Sequence, residues 1–317
     1  MMERALQQYL VVTASYWAFT MTDGALRMLV VLFFHNLGYS PLEVATLFLL
    51  YEFFGIVTNL FGGWLAARVG LNVTMQVGLF LQIVSLAMLL VDQSMLSVVY
   101  VMVAQALSGI AKDLNKMSAK SSIKLLVPND AQGQLYRWVA ILTGSKNTLK
   151  GMGFFLGGAL LAWLGFQGAV ALMAVALVMV LTLSGLLLDK NLGKTSYKPK
   201  FTEIFSKSGA VNRLSAARLF LFGSRDVWFV VALPVYLQSQ LDWHHMQVGM
   251  MMAAWVVGYG FVQTMAPKIT GVDRGKVPDG KTVFEWSIAL CLLPLVIAAG
   301  LYFNIAAEYV LVAGLLI

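Results

Sequence analysis

Asp23 and Arg27 stand four residues apart inside a long apolar run, 9–37. Four residues is about one helical turn, so the two share a face. A charge at the centre of a bilayer costs roughly 2.5–3.5 kcal/mol on insertion scales and persists where it is paired or faces a hydrated path. The pair therefore reads either as a structural ion pair or as Arg27 lining a pathway, with Asp23 holding and releasing it. A second such run, 213–238, carries Arg218 and then Arg225-Asp226 at its midpoint. Neighbours on a helix point about 100° apart, so Arg225 and Asp226 do not simply pair side by side. At least one needs a partner on another helix or a solute. Arg27 and Arg225 together form a two-jawed clamp for an anion.

Further cations fall within apolar runs. Lys146 and Lys150 are again four apart, with no acid within a turn. Lys112, Lys116 and Lys120 form a stripe continued by Lys124, with Asp113 and Asn115 between them. Part of that stripe is ordinary anchoring at the membrane edge, but Lys112 and Lys116 lie deep enough to gather anions. Glu52, near the middle of its run, pairs with one of these lysines or titrates as a coupling carboxylate. Asp23 and Asp226 are the other carboxylates open to proton coupling or ion pairing. The deep basic residues Arg27, Lys112, Lys116, Lys146, Lys150 and Arg225 outnumber the deep acids Asp23, Glu52, Asp113 and Asp226. The planar fork of arginine suits phosphate-like oxyanions. The expected cargo is thus a small, multiply charged anion, and these six cations are its candidate binding residues.

Composition says what must position them. Of 317 residues, 59% are hydrophobic and 12% charged, and the mean hydropathy is +0.78. Soluble domains carry about 25% charged residues, so the lipid bilayer is the expected solvent. Apolar stretches long enough for transmembrane helices, about 20 residues each, cover 9–37, 41–66, 73–91, 96–119, 136–164, 169–188, 213–238, 246–266 and 283–303. A tenth begins near Ile305, and the chain stops inside an apolar run, which predicts missing final helices. The first stretch reads as a retained span and not as a cleaved signal. The net charge of +7 fits basic loops, not nucleic-acid binding. One cysteine, Cys291, excludes a disulfide framework, and His35, His244 and His245 are too scattered for a metal centre. No cofactor is expected, and no enzyme: His244-His245 with Asp242 is the only visible catalytic candidate.

Alternate connections carry Arg68, then Lys124, then Lys190, Lys194, Lys198, Lys200 and Lys207, then Lys268, Arg274, Lys276 and Lys281, while the others carry neither Lys nor Arg. The positive-inside rule then places the N-terminus in the cytoplasm, and the inner membrane is the expected location. The stretch 189–212 reads as a cytoplasmic linker between a complete six-helix half, 1–188, and a partial one, 213–317. A weak repeat relates the halves: Tyr51 matches Trp255, Asn59 matches Gln263, and Asp23 falls within one residue of Asp226.

The segment Gly63-Trp-Leu-Ala-Ala-Arg-Val-Gly70 resembles the loop signature of the major facilitator superfamily, G-x-L-A-D-R-x-G. Ala67 replaces the acidic residue, and Leu71-Asn72 replace the usual basic pair. That resemblance implies an all-α integral membrane protein with two pseudo-symmetric six-helix halves, the second truncated here. Three longer runs, 16–27, 104–120 and 222–229, resemble the ArsJ family of organoarsenical efflux permeases, and the likeness extends along the chain, which is shorter than expected for that family. The resemblance implies export of 1-arseno-3-phosphoglycerate made by a partner glyceraldehyde-3-phosphate dehydrogenase, with arsenate resistance as the result. Organophosphate transporters of the superfamily use arginines on their first and seventh helices, which matches Arg27 and Arg225 by position.

Overall fold

The computed structural model describes residues 2–127, 132–189, 208–225, 233, 236–237, 240–243, 245–271, 279–303, 305 and 307–316. Among them the regular structure is helical: α1 (Met2–Asn36), α2 (Pro41–Thr46), α3 (Leu49–Val69), α4 (Leu71–Met88), α5 (Val98–Leu126), α6 (Gln132–Leu187), α7 (Gly209–Arg225), α8 (His245–Ile269), α9 (Gly280–Tyr302) and α10 (Ala307–Leu316), with one short 3-10 turn, Gln93–Met95. Five stretches among the described residues are long and apolar enough to cross a membrane: Leu6–Asn36, Glu43–Val69, Leu71–Met88, Gly133–Leu187 and Gly280–Tyr302.

The helix boundaries follow local chemistry. Ser40 caps α2: its hydroxyl accepts from the Glu43 amide while the Glu43 carboxylate accepts from the Ser40 amide at 2.8 Å, a reciprocal capping box. The expected single span 41–66 is broken after Thr46, and the chain resumes as α3 at Leu49. Only Gly70 separates α3 from α4. Its φ of +97° is a conformation that a side chain disfavours. Asp92 opens the 3-10 turn before α5, accepting from the Ser94 amide at 2.9 Å and hydroxyl at 2.7 Å, bonds that hold its carboxyl below the usual carboxylate range. The expected spans 136–164 and 169–188 are the two arms of α6, two helices that meet at a kink where Gly165 (φ +67°) leaves helical geometry.

The core lies where α1, α4, α5 and both arms of α6 meet. Phe19, Leu26, Leu29, Val30 and Phe34 of α1 pack with Leu79, Leu86, Ala104, Leu160, Val170 and Met173. Leucine side chains outside that core, such as Leu60, Leu172 and Leu183, are exposed, as expected where lipid replaces water.

Small residues let the helices close. A Cβ on Gly24 would come within 2.7 Å of the Lys150 carbonyl oxygen, and one on Gly153 within 2.6 Å of the Met21 carbonyl oxygen, so α1 and the first arm of α6 touch backbone to backbone. The same arm meets α8 through Gly144 and Gly260: a Cβ on either would fall within 2.6 Å of the other's carbonyl oxygen. Asn147 donates to Gln263 at 2.8 Å across that seam. Residues 190–207, which hold most of the expected linker, lie outside the described residues.

Candidate functional site

α3 brings two adjacent residues, Tyr51 and Glu52, against the charged face of α1. Tyr51 is buried (1% exposed), and its hydroxyl donates to Asp23 Oδ1 at 2.7 Å. Glu52 accepts from Arg27 Nη2 at 2.9 Å through Oε1, and its Oε2 lies 3.4 Å from Lys112 Nζ on α5. One carboxylate thus bridges cations from two helices. The Tyr51 ring underlies the same pair, with Arg27 Cζ 4.6 Å and Lys112 Nζ 4.1 Å from its centroid. Phe48 adds a third contact to Arg27 at 5.3 Å. The electron-rich face of an aromatic ring attracts cations, and more so away from water.

This arrangement corrects the reading of Asp23 and Arg27 as a pair. They share a face, but each bonds to α3, Asp23 to the phenol of Tyr51 and Arg27 to Glu52. The expected pairing of Glu52 with a lysine is present, and Arg27 joins it. Arg27 Nε is buried with no hydrogen-bond partner, so the guanidinium is only partly satisfied.

The lysine stripe divides. Lys112 turns to Glu52, while Lys116 pairs with the buried Asp113 one turn further along α5. Gly55 makes room for that acid: a Cβ there would lie 2.9 Å from Asp113 Oδ2. Lys146 and Lys150, both half-buried on α6, have no ion pair among the described residues. Lys150 Nζ lies 5.9 Å from the centroid of the Phe154 ring. The Arg225 side chain and all of Asp226 lie outside the described residues, as do the His244 and His245 side chains.

Arg27, Glu52, Lys112, Asp23 and the Lys116–Asp113 pair are therefore gathered where α1, α3 and α5 meet, and Lys146 and Lys150 flank them from α6. Tyr51 is the member that charge counting misses. Its only sequence signal is its place beside a mid-span glutamate and opposite Trp255 in the repeat. No three-residue group of His, Cys, Asp and Glu suited to a metal occurs among the described residues.

The chain matches the Major Facilitator Superfamily over residues 11–317. It is similar to a crystal structure of the peptide transporter POT in complex with sulfate (17% identity, TM-score 0.51, covering 96% of this chain and 59% of that one). It is also similar to a point mutant of POT in complex with alafosfalin (16% identity, TM-score 0.50, covering 79% and 54%). The chain spans a little over half the length of these transporters. No curated protein matches it.

Proposed function

The chain belongs to the Major Facilitator Superfamily, and from that premise we propose that it exports the organoarsenical 1-arseno-3-phosphoglycerate by alternating access and so gives arsenate resistance. The observation that carries the reading is the sign of the charge gathered within the helix bundle. Arg27, Lys112, Lys116, Lys146 and Lys150 face only Asp23, Glu52 and Asp113 among the described residues. A polyanion offsets that excess, and a cation or a neutral lipophile does not. A pentavalent arsenic ester is recognised through its oxygens, so a chain whose one cysteine is the exposed Cys291 is suited to it.

In this proposal residues 1–188 and 213–317 rock against each other about the linker 189–212, with the N-terminus in the cytoplasm of a cell whose inner membrane holds the protein. Arg27 and Arg225 close on the anion, the lysines draw it in, and Asp23, Glu52 or Asp226 couples its release to protons. The functional partner is a glyceraldehyde-3-phosphate dehydrogenase that forms the ester from arsenate, and the ester falls apart outside. A second reading keeps the transport and changes the cargo to a phosphorylated metabolite or an inorganic oxyanion.

Everted vesicles distinguish the two. Vesicles containing the protein should accumulate labelled arsenophosphoglycerate several-fold faster than 3-phosphoglycerate. Equal rates for the two compounds would remove the arsenical and leave the metabolite reading.

A further inference from the structure

The charge excess is not spread over the site. Arg27 and Lys112 meet the carboxylate of Glu52, and Asp23 lies on the same Tyr51 ring through its hydroxyl. Two cations there face two carboxylates. Lys116 is matched by Asp113. Of the five deep cations whose side chains are described, Lys146 and Lys150 are the two without an ion pair.

Among the described residues no acid lies within ion-pair distance of either lysine, and Asp23 acts on both only through space. α1 packs against this arm of α6 and brings Asp23 and Arg27, both already engaged with α3. α5 brings Lys112, Lys116 and Lys120, which add positive charge, and Asp113, held by Lys116. α8 brings Asn147's partner Gln263 and the neutral Gly260 and Thr264. The lysine backbone is fixed, because the Lys150 carbonyl abuts Gly24, the residue after Asp23. The pair therefore borders the Arg27 cluster directly.

We propose that Lys146 and Lys150 form a subsite for the doubly charged oxyanion end of the cargo, a phosphate monoester or its equivalent, while the cluster of Arg27 and Lys112 with Glu52 and Asp23, two cations with two carboxylates, receives the less charged end. The assignment rests on the polyanion reading above and adds the polarity of the bound molecule. A phosphate monoester carries about −1.5 to −2 charges at neutral pH and three peripheral acceptor oxygens, which two ammonium groups of three donors each can satisfy. Two like charges one turn apart in an apolar helix repel in the empty protein, and a dianion relieves that repulsion when it binds.

The probes are 3-phosphoglycerate and glycerate, which differ by the phosphate alone. Calorimetric binding to the purified chain in lipid nanodiscs should favour 3-phosphoglycerate by about a hundredfold in the unaltered protein. Lys146→Gln and Lys150→Gln should each cut that preference by about tenfold, the scale of one charge-assisted contact. Lys146→Arg and Lys150→Arg should restore most of it, and Lys281→Gln, at an exposed pair with Glu285, should leave it alone. The same glutamine variants should raise the thermal midpoint of the empty protein, because they remove a repulsion, whereas loss of a merely structural contact would lower it. An undiminished preference in both glutamine variants, or lowered midpoints, overturns the subsite and leaves the transport reading standing. An unaltered protein that binds neither 3-phosphoglycerate nor the arsenical overturns the transport reading and the subsite with it.

Discussion

Tyr51 does three things with one side chain and its own backbone. Its hydroxyl satisfies a buried carboxylate, its ring holds two cations, and its carbonyl receives the face of α5 at Gly109, where a Cβ would collide. Tyr51→Phe should keep the ring and strand Asp23, lowering stability by about 1–3 kcal/mol while sparing most transport. Tyr51→Leu should also release the cations and reduce vesicle uptake by about tenfold or more, from two cation–ring contacts of roughly 0.5–2 kcal/mol each. Similar uptake in both variants would deny the ring its part. Glu52 predicts a different outcome. Glu52→Gln removes the carboxylate from Arg27 and Lys112 at once, so a bound anion should be held more tightly and released more slowly. Uptake should show a lower KM together with a lower maximal rate. Arg27→Ala should abolish transport yet leave insertion intact, and cells expressing it with the dehydrogenase should lose arsenate tolerance. The charged members of this cluster were legible from spacing and depth alone. Which of them pair was not, because a four-residue interval reports a shared face and says nothing about what a neighbouring helix brings to it.

At the scale of helices, apolar length and loop charge foretold most of the spans, and the differences have local causes. The break between α2 and α3 follows a six-residue helix with its own capping box, a signal that hydropathy averages away. α5 runs on to Leu126, past the expected end at 119, because its lysine stripe is helical and the charges of Lys112 and Lys116 are matched within the protein. The two arms of α6 meet at a kink at Gly165, within the expected connection between 164 and 169, and Gln167 ties that bend to the segment following α4 by donating to the Val91 carbonyl at 3.2 Å. Gly70 is the more demanding joint. A side chain at its φ of +97° costs of order 1–3 kcal/mol, so Gly70→Ala should lower the detergent-solubilised thermal midpoint by several degrees. Gly63→Ala, which meets nothing within 4 Å in a helical stretch, is the control and should change it little. The divergent loop signature also has a visible consequence. Where the superfamily pattern has a basic residue, Asn72 donates to the Asp189 carbonyl at 3.1 Å, and Gln8 joins it by accepting from the Asp189 amide at 2.8 Å.

For the whole molecule, the alternating access proposed above would require that the segment 1–188 change its attitude to 213–317 without unpacking either. Most of the interface on which that depends is outside the reach of sequence patterning, since a glycine reads the same whether it meets lipid or another helix. The seam between α6 and α8 shows where the two segments touch: Gly144 against Gly260, with Asn147–Gln263 beside them. Helices usually lock by setting the side-chain ridges of one into the grooves of the other, and changing their angle then means lifting each ridge over the next. At each glycine the facing helix sets a short side chain into the notch, Thr264 against Gly144 and Thr148 against Gly260. The contact is a close but shallow joint: the two short hydroxyl side chains are its only teeth at these glycines, with the amide pair beside them and the long Thr148–Val257 bond at 3.4 Å. The two missing side chains give the seam its tightness, and teeth only one threonine high leave a low step to cross when the angle between the helices changes.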